Sequence, residues 1–334
     1  MTQALADHKN SLRIARRRLH GESFLKELES HKEYIEATSH DPRFAELPTR
    51  GMTYKLRTYE HIASHGYAIP QIYRTWDSPT DMDLDDLPDS FVVKSDGGST
   101  SKGVLPLIRQ RDGRFLVADG SRSLTSDEVK AHFEKARSAG EAYGAMFAEA
   151  LLRPRDGSDR IPDDVKVYTA YGSILQVLLR QVDEHGVVSE TRSKYVDEHG
   201  EDLGQVASHR QLDPSIPVPD TLGEMIAISR HLSRASGLPF VRIDLYDTEK
   251  GIVVGEITRA PGGAQTYTET HDQQMGRLWH LARAELQIDV QKGRPAGLIW
   301  GDREIPKLYS GLSPSLSRDR ERRTVVSCDS WCTT

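Results

Sequence analysis

The sequence predicts an α+β protein built around antiparallel sheets. Strand-like and helix-like segments alternate without a strict strand–helix–strand repeat, hairpin-like segments occupy the middle of the chain, and no internal repeat is found. These observations disfavour a doubly wound parallel sheet. The 334 residues are enough to bury a substantial core, in one large domain or in two or three lobes that share an interface.

Charge and composition exclude several classes of function. The chain has 44 basic and 50 acidic residues and a net charge of -6, which disfavours a primary role at nucleic acids or membrane surfaces. No run of about eighteen apolar residues and no apolar segment behind the N-terminal charges occurs, so we expect a cytoplasmic protein without a membrane span or signal peptide. Cys328 and Cys332 cannot hold the body together as a disulfide framework, and a CxxxC pair with no second ligand pair is a poor zinc site.

The N-terminal part of the chain has a helical pattern. Apolar residues at mixed three-, four- and seven-residue spacing predict one or two amphipathic helices over residues 3–37. The basic run "RIARRRLH" within them resembles a nucleic-acid patch, but a solvated helix face is the commoner meaning of such a run. A further helical pattern is stopped by Gly66 and Pro70, and an acidic linker follows at 77–90.

Beyond the linker, strand-like and helix-like segments alternate. Strands are predicted at 91–94, 104–110, 114–120 and 187–197, with hairpins at 165–183 and 240–263. Helices are predicted at 125–140, 220–237 and about 271–286. Thr125 or Ser126 is expected to cap the first of these helices, and Gly237 to end the second.

The hairpin at 240–263 carries charge where a core strand should not. Alternation places Arg242, Asp244 and Tyr246 on one face and apolar residues on the other. A turn within "DTEKG" would put Arg242 near Glu256, and Asp244 and Glu256 diagonally about 7–8 Å apart. Such carboxylates repel unless a cation lies between them, so the hairpin is a candidate Mg²⁺ site. The alternative is an exposed hairpin with an Arg242–Glu256 ion pair worth at most about 1 kcal/mol.

A loop rich in glycine and hydroxyl residues follows the strand at 91–94. It lets backbone N–H groups approach phosphate oxygens, and neighbouring lysines add positive charge. The pattern is not a P-loop, and a plain surface turn is the alternative. The candidate phosphate-binding residues are Lys94, Gly97, Gly98, Ser99 and Gly103.

Taken in order, these segments resemble the ATP-grasp superfamily, and most closely the branch grouped with teichuronopeptide-biosynthesis proteins. The matching segments, within about residues 51–265, are "YKLRTYEHIASHGYAIPQIY", "LPDSFVVKSDGGSTSKG", "IPDDVKVYTAYGS" and "VRIDLYDTEKGIVVGEITRAPGG". The resemblance implies two α+β subdomains that grip ATP between them, with a third region that completes the acceptor side. Together with the helical pattern at the N-terminus and the Ser- and Arg-rich sequence at the C-terminus, it predicts an N-terminal helical region at 1–50, a small lobe at 51–90, ATP-grasp subdomains at 91–152 and 153–309, and a disordered tail at 310–334.

The resemblance also assigns roles to individual residues. It implies phosphate contacts for Lys55 and Lys94, a lid formed by the loop from Gly97 to Gly103, an adenine or ribose contact for Glu149, metal binding by Asp244 and Glu256, and catalytic positions for Arg242 and Lys166. Arg242 suits a phosphate or carboxylate because its guanidinium can bind bidentately. Glu149 could equally belong to an ordinary helix turn, and Lys166 could be an exposed hairpin lysine.

One position departs from the commoner ATP-grasp pattern. Many of these enzymes have an asparagine two residues after the second carboxylate, as a further metal ligand, whereas this chain has Thr258. The single asparagine of the chain, Asn10, lies far away in the sequence. The branch commonly has threonine there, but a second metal site stays an open question.

The resemblance implies an ATP-dependent carboxylate–amine ligase with ATP and Mg²⁺ as cofactors. Its catalysis would depend on positioning and electrostatics, so a nucleophilic side chain is not required. A non-catalytic nucleotide-binding scaffold and a kinase acting on a hydroxyl are the alternatives. The acceptor could be a small molecule, a glycan or a peptide; no membrane or nucleic-acid partner is expected, and the oligomeric state is open.

Overall fold

A computed structural model of the chain describes most of its residues. The described residues are 21–39, 41–44, 47–98, 103–158, 160, 162–182, 191–208, 210, 212–305, 308 and 328–332. The α-helices are α1 (Phe24–Ser39), α2 (Pro48–Gly51), α3 (Lys55–Ser64), α4 (Ser126–Ser138), α5 (Leu222–Ser236) and α6 (Glu269–Gln291). The strands are β1 (Ile72–Trp76), β2 (Ser90–Gly97), β3 (Val104–Arg109), β4 (Phe115–Val117), β5 (Ser123–Leu124), β6 (Tyr143–Ala150), β7 (Asp164–Ala170), β8 (Ser173–Val182), β9 (Thr191–Val196), β10 (Val241–Thr248) and β11 (Gly251–Thr258).

The strands form two antiparallel sheets. One sheet has six strands in the order β1-β6-β2-β3-β4-β5, and the other has five in the order β11-β10-β7-β8-β9. The predicted α+β class with antiparallel sheets is therefore confirmed. Both predicted hairpins are present, as β7–β8 and β10–β11.

Helix ends follow the capping signals in the sequence. The Thr125 hydroxyl accepts a hydrogen bond from the backbone N–H of Glu128, whose carboxylate accepts one from the Thr125 N–H. This capping box satisfies two N–H groups that the first turn of α4 leaves without helical partners. Gly237 ends α5 in the left-handed conformation at φ 66°, which glycine adopts without steric cost.

The five-stranded sheet is covered on both faces. On one face α1 and α6 pack through aromatic side chains, with Phe24 edge-on to Phe240 and Trp279 stacked on Phe240 at 4.3 Å between ring centroids. On the other face α3 and α5 join a core that also includes Phe147 of the six-stranded sheet. Helix α3 therefore packs into a core shared by the two sheets.

The sequence-based prediction missed strand β6. Its segment "YGAMFAEA" is rich in alanine, which favours a helix, and the alternative interpretation of Glu149 as part of a helix turn was wrong. The segment instead pairs with β1 and β2, because its alternate side chains Met146 and Ala148 join the core of the six-stranded sheet. Tertiary packing here outweighs local propensity.

The structure describes only part of each end of the chain. The basic run at 13–20 lies outside the described residues, as does 309–327. Residues Cys328–Ser330 form a short 3₁₀ turn, and Cys332 is buried against Ala235 and Ile299. This part of the predicted disordered tail therefore packs on the body, while the domain boundaries stay predictions.

Cys328 and Cys332 are joined by a disulfide inside this turn, so the bridge is local and links no distant elements. In the part of the chain that the structure describes, none of the helices has the length and apolarity needed to span a bilayer.

Candidate active site

The β10–β11 hairpin places Asp244 directly opposite Glu256, and Arg242 opposite Thr258. The predicted diagonal register was wrong. The hairpin loop is shorter than "DTEKG", because Thr248 already pairs with Gly251, and a bulge interrupts the ladder next to Asp244. The two carboxylates still share one face of the hairpin, as predicted. Directly opposite residues lie closer together than diagonal ones, so Asp244 and Glu256 are nearer to each other than the predicted register implied.

Asp244 is a buried carboxylate held by two cations. Arg242 donates to it from Nε (2.6 Å) and Nη2 (2.8 Å), and Lys166 also donates to it. Burial disfavours the charged carboxylate, yet Arg242 and Lys166 together hold the pKa of Asp244 below its usual value. Asp244 is therefore a fixed negative charge in the site.

Lys166 lies between two carboxylates. Besides Asp244 it contacts Asp164, with 2.8 Å between Nζ and Oδ2. Burial opposes the charged ammonium, but Asp164 and Asp244 raise the pKa of Lys166 above its usual value. The alternative interpretation of Lys166 as an exposed hairpin lysine is wrong, because its side chain is only 11% exposed.

Glu256 has the more open position. Its side chain is 45% exposed, and its Oε2 lies 3.9 Å from Nη2 of Arg242. Arg242 also donates to the hydroxyl of Thr258 at 3.0 Å, so the residue that replaces the usual asparagine orients the guanidinium. Burial lowers the pKa of Lys55, and the nearby Glu256 carboxylate opposes this shift.

A buried hydrogen-bonded group connects the two sheets. Lys94 Nζ lies 2.5 Å from Oε1 of Glu149. The hydroxyl of Tyr59, on α3, lies 2.9 Å from Glu149 Oε2 and 3.0 Å from the carbonyl oxygen of Gly255. Tyr59 thus joins Lys94 and Glu149 of the six-stranded sheet to the residue that precedes Glu256.

The described part of the glycine-rich segment is tightly packed. A Cβ atom at Gly97 would lie 2.1 Å from the ring of Tyr143, and one at Gly98 would lie 2.4 Å from the carbonyl oxygen of Glu141. Gly98 has φ +113° and its carbonyl accepts a hydrogen bond from Lys55 Nζ at 3.1 Å. The backbone contact and the positive φ therefore require glycine at Gly98, whereas a side chain at Gly97 would have to displace the ring of Tyr143.

Gly103 resumes the chain after the loop, where a Cβ would lie 2.4 Å from Oγ of Ser95. Ser99 and the rest of the loop lie outside the described residues, so its predicted role as a lid stays a prediction.

Contacts join the predicted residues into two groups, Lys166, Arg242, Asp244 and Glu256 on one sheet and Lys94 with Glu149 on the other. Sequence reasoning missed Tyr59 and Asp164. Tyr59 sits in an amphipathic helical pattern, where a tyrosine is ordinarily a core residue. Asp164 is part of the "PDDVK" segment, two residues before Lys166, and the alternation of a strand could have placed both on one face.

A family model described as TupA-like ATPgrasp matches residues 38–280. The match spans more than half of the chain. The chain belongs to the TupA-like ATP-grasp family. Membership confirms the family predicted from the sequence motifs and supports an ATP-dependent ligase as the general class of activity of this TupA-like protein.

Solved structures of ATP-grasp proteins resemble the TupA-like chain at low identity. D-alanine–D-alanine ligase from Bacillus anthracis is 16% identical, with a TM-score of 0.46 over 74% of this chain and 70% of that chain. D-alanyl-alanine synthetase A from Vibrio cholerae is 14% identical (TM-score 0.44, 72% and 67% covered). A RimK domain ATP-grasp protein from Sphaerobacter thermophilus is 13% identical (TM-score 0.41, 71% and 69% covered). These values are too low to carry information about a substrate. No curated protein sequence matches the chain.

Proposed function

We propose that this protein is an ATP-dependent ligase that activates a carboxylate as an acyl phosphate and joins it to an amine or a related nucleophile. The observation that carries the proposal is the pair Asp244 and Glu256, placed opposite each other on one hairpin. A hydrogen-bonded path through Tyr59 connects this hairpin to Lys94 of the other sheet. Carboxylates and a lysine are the residue types that bind a metal–nucleotide complex.

The donor atoms of this hairpin fit Mg²⁺. Asp244 and Glu256 offer carboxylate oxygens, the type of ligand that Mg²⁺ takes alongside water and phosphate. Each carboxylate has about four acceptor positions, so Asp244 retains capacity beyond its contacts with Arg242 and Lys166. The Glu256 side chain is exposed enough to contact a bound ligand. When bound, Mg²⁺ would offset phosphate charge at these two residues.

The protein's own cations would orient the reactants. A lysine ammonium has three donors, so Lys94 can keep its contact with Glu149 and still donate to phosphate oxygens. Lys55 and Arg242 add positive charge, and Lys166 holds Asp244 in place. In the first step a substrate carboxylate oxygen bonds to the γ-phosphorus and ADP leaves. In the second step the amine nitrogen bonds to the acyl carbon, phosphate leaves, and the amine loses a proton.

The proposal is tested first at the level of nucleotide binding. Mg·ATP should raise the melting temperature of the wild-type protein, because it binds the folded state. Glu256→Gln should lose this shift. Glu249→Gln, in the exposed turn of the same hairpin, is the matched control and should keep it. An unchanged shift in Glu256→Gln would contradict the assignment of this residue as a metal ligand.

The reaction is tested by phosphate release from ATP in the presence of pooled carboxylates and amines, with mass spectrometry of the products. Hydroxylamine traps an acyl phosphate as a hydroxamate, whereas a kinase acting on a hydroxyl gives no hydroxamate. A protein that binds Mg·ATP but releases no phosphate with any pool would favour the non-catalytic scaffold. The acceptor stays a prediction, as a small molecule, a glycan or a peptide. The cytoplasmic location also stays a prediction.

A further inference from the structure

A second cluster of reactive side chains lies away from the β10–β11 hairpin. Nδ1 of His65 lies 3.0 Å from Nε2 of His231. Sγ of Cys328 lies 3.5 Å from the first of these nitrogens and 3.3 Å from the second. Three atoms that can ligate a metal therefore form a compact triangle. The three residues come from segments far apart in the sequence.

The neighbouring groups orient His65 as a ligand. Its Nε2 lies 3.0 Å from the carbonyl oxygen of Ile299, and a carbonyl oxygen can only accept. Nε2 therefore carries the proton in the neutral ring, and the lone pair of Nδ1 faces His231 and Cys328. A histidine that binds a metal usually donates its other N–H to a carbonyl or carboxylate in this way.

Cys332 adds a fourth candidate ligand. It lies in the same turn as Cys328, is disulfide-bonded to it, and is 2% exposed. The two sulfur atoms are thus adjacent, so reduction would present two thiols beside the two imidazoles. Trp331, Ala235 and Ile299 pack around the turn and would limit access of water.

We propose that, in the reduced protein, His65, His231, Cys328 and Cys332 form a tetrahedral Zn²⁺ site. Zinc–nitrogen bonds of about 2.0–2.1 Å and zinc–sulfur bonds of about 2.3 Å place two nitrogens about 3.3 Å apart, and a nitrogen and a sulfur about 3.6 Å apart. The observed separations of 3.0, 3.3 and 3.5 Å need only small outward movements. The two sulfur atoms must separate to about 3.8 Å.

The expectation that the CxxxC pair has no second ligand pair was wrong. The fold supplies that pair from two helices, since His65 directly follows α3 and His231 lies in α5. The sequence pattern could not predict this pairing, because the two histidines lie far apart in the sequence and the cysteines lie near the C-terminus.

The type and number of the donor atoms indicate which metal binds and whether the site is structural or catalytic. Two thiolates and two imidazoles suit Zn²⁺, whereas Mg²⁺ requires oxygen ligands. Four protein ligands leave no open position, so the site is structural. It would fix the C-terminal turn to α3 and α5 and stabilise the folded state through metal binding. This inference does not depend on the proposed ligase activity.

The site forms in two steps, reduction of the disulfide and then loss of the thiol protons on metal binding. A thiol reductant transfers two electrons and two protons to the Cys328–Cys332 disulfide and is itself oxidised to a disulfide. A phosphine supplies two electrons and becomes a phosphine oxide, with the oxygen and the two protons coming from water. Either reductant yields two thiols. Binding of Zn²⁺ then releases both thiol protons, and the two thiolate charges offset the charge of the metal.

The test starts from the full-length protein without an affinity tag, purified under a phosphine reductant. Elemental analysis after dialysis should find one zinc per chain. Replacement of zinc by Co²⁺ should give the absorption bands of tetrahedral cobalt together with thiolate-to-cobalt charge transfer. Cys328→Ser and Cys332→Ser should lose the charge-transfer intensity in part, and the double variant completely. His231→Ala should lose zinc.

Matched controls keep the proposal falsifiable. Ser330→Ala alters the same turn, and His280→Ala removes an exposed histidine from α6; both variants should retain zinc. A zinc chelator should lower the melting temperature of the wild type and leave that of the double cysteine variant unchanged, which tests the site even if single variants fold poorly. A reduced wild type that binds neither zinc nor cobalt, or a double cysteine variant that keeps zinc, would overturn the proposal.

Discussion

Asp244 and Glu256 lie opposite each other on β10 and β11, but their carboxylates have different surroundings. The Asp244 side chain is 4% exposed and contacts Arg242 and Lys166, whereas that of Glu256 is 45% exposed. Sequence reasoning predicted two carboxylates that repel each other in the absence of metal. In the structure the protein's own cations already compensate Asp244.

This arrangement reverses the sign of a stability prediction. Repulsion between the carboxylates would leave Asp244→Asn as stable as the wild type or slightly more stable. Because Asp244 compensates two buried cations, we expect Asp244→Asn to lower the free energy of unfolding by up to about 3–5 kcal/mol, the range for breaking a buried ion pair. Urea unfolding without nucleotide or metal measures the change. The exposed Asp86 gives the control Asp86→Asn, which should change the free energy by less than about 0.5 kcal/mol.

The same contacts predict a dependence on pH. The pKa of Asp244 is lowered in the folded state from the ordinary 3.8, so the unfolded chain takes up a proton first as the pH falls. The stabilisation is complete above the ordinary pKa of 3.8 and is lost as the pH falls through the folded-state pKa. The difference in unfolding free energy between wild type and Asp244→Asn should therefore be constant near neutral pH and shrink below about pH 4. A difference that grew on acidification would contradict the ion-pair assignment.

Lys94 should affect both stability and nucleotide binding. Its side chain is 17% exposed and that of its partner Glu149 only 4%, so both members of this ion pair are largely buried. Lys94→Met leaves a buried carboxylate without its cation and should lower the free energy of unfolding by about 3–5 kcal/mol. The double variant Lys94→Met/Glu149→Gln should recover much of this loss, because it removes the unpaired charge as well.

Nucleotide affinity separates the two roles of Lys94. If Lys94 contacts phosphate, both the single and the double variant should bind Mg·ATP at least about tenfold more weakly, a loss of about 1.4 kcal/mol. Lys135→Met, at an exposed position of α4, is the control for removal of a lysine. Calorimetric titration of each variant gives the affinities, and a double variant with wild-type affinity would remove Lys94 from the phosphate site.

The sequence predicts the faces of each hairpin strand, but not the contacts that the site makes with other elements. Alternation of polar and apolar residues places Arg242 and Asp244 on one face, because a strand has a period of two. The contact of Asp244 with Lys166 depends on β7, which pairs with β10 through a register that the local pattern does not contain. The role of Tyr59 depends on how α3 packs between the two sheets, and the metal-ligand cluster at His65 depends on a turn distant in sequence. Long-range packing decides all three.

Gly98 should tolerate no side chain. Its φ of +113° is strained for any other residue, and a Cβ would lie 2.4 Å from the carbonyl oxygen of Glu141. Gly98→Ala should therefore lower the free energy of unfolding by more than about 1 kcal/mol, as measured by thermal or urea unfolding. Gly223→Ala is the contrasting control, since that position lies in α5 and a Cβ there would meet no heavy atom within 4 Å. It should be stabilising by about 0.5–1 kcal/mol.

The last prediction concerns the bridge between the sheets. Tyr59→Phe removes the hydroxyl that lies between Glu149 and the Gly255 carbonyl, so two buried oxygens each lose a hydrogen bond, while Glu149 keeps its contact with Lys94. The free energy of unfolding should fall by about 1–3 kcal/mol. Tyr34→Phe, at a position 40% exposed, should have little effect. A double-mutant cycle with Glu149→Gln should give a coupling energy of at least about 0.5 kcal/mol, because the two side chains share one hydrogen bond. Additive effects of the two substitutions would show that Tyr59 does not couple the two halves of the site.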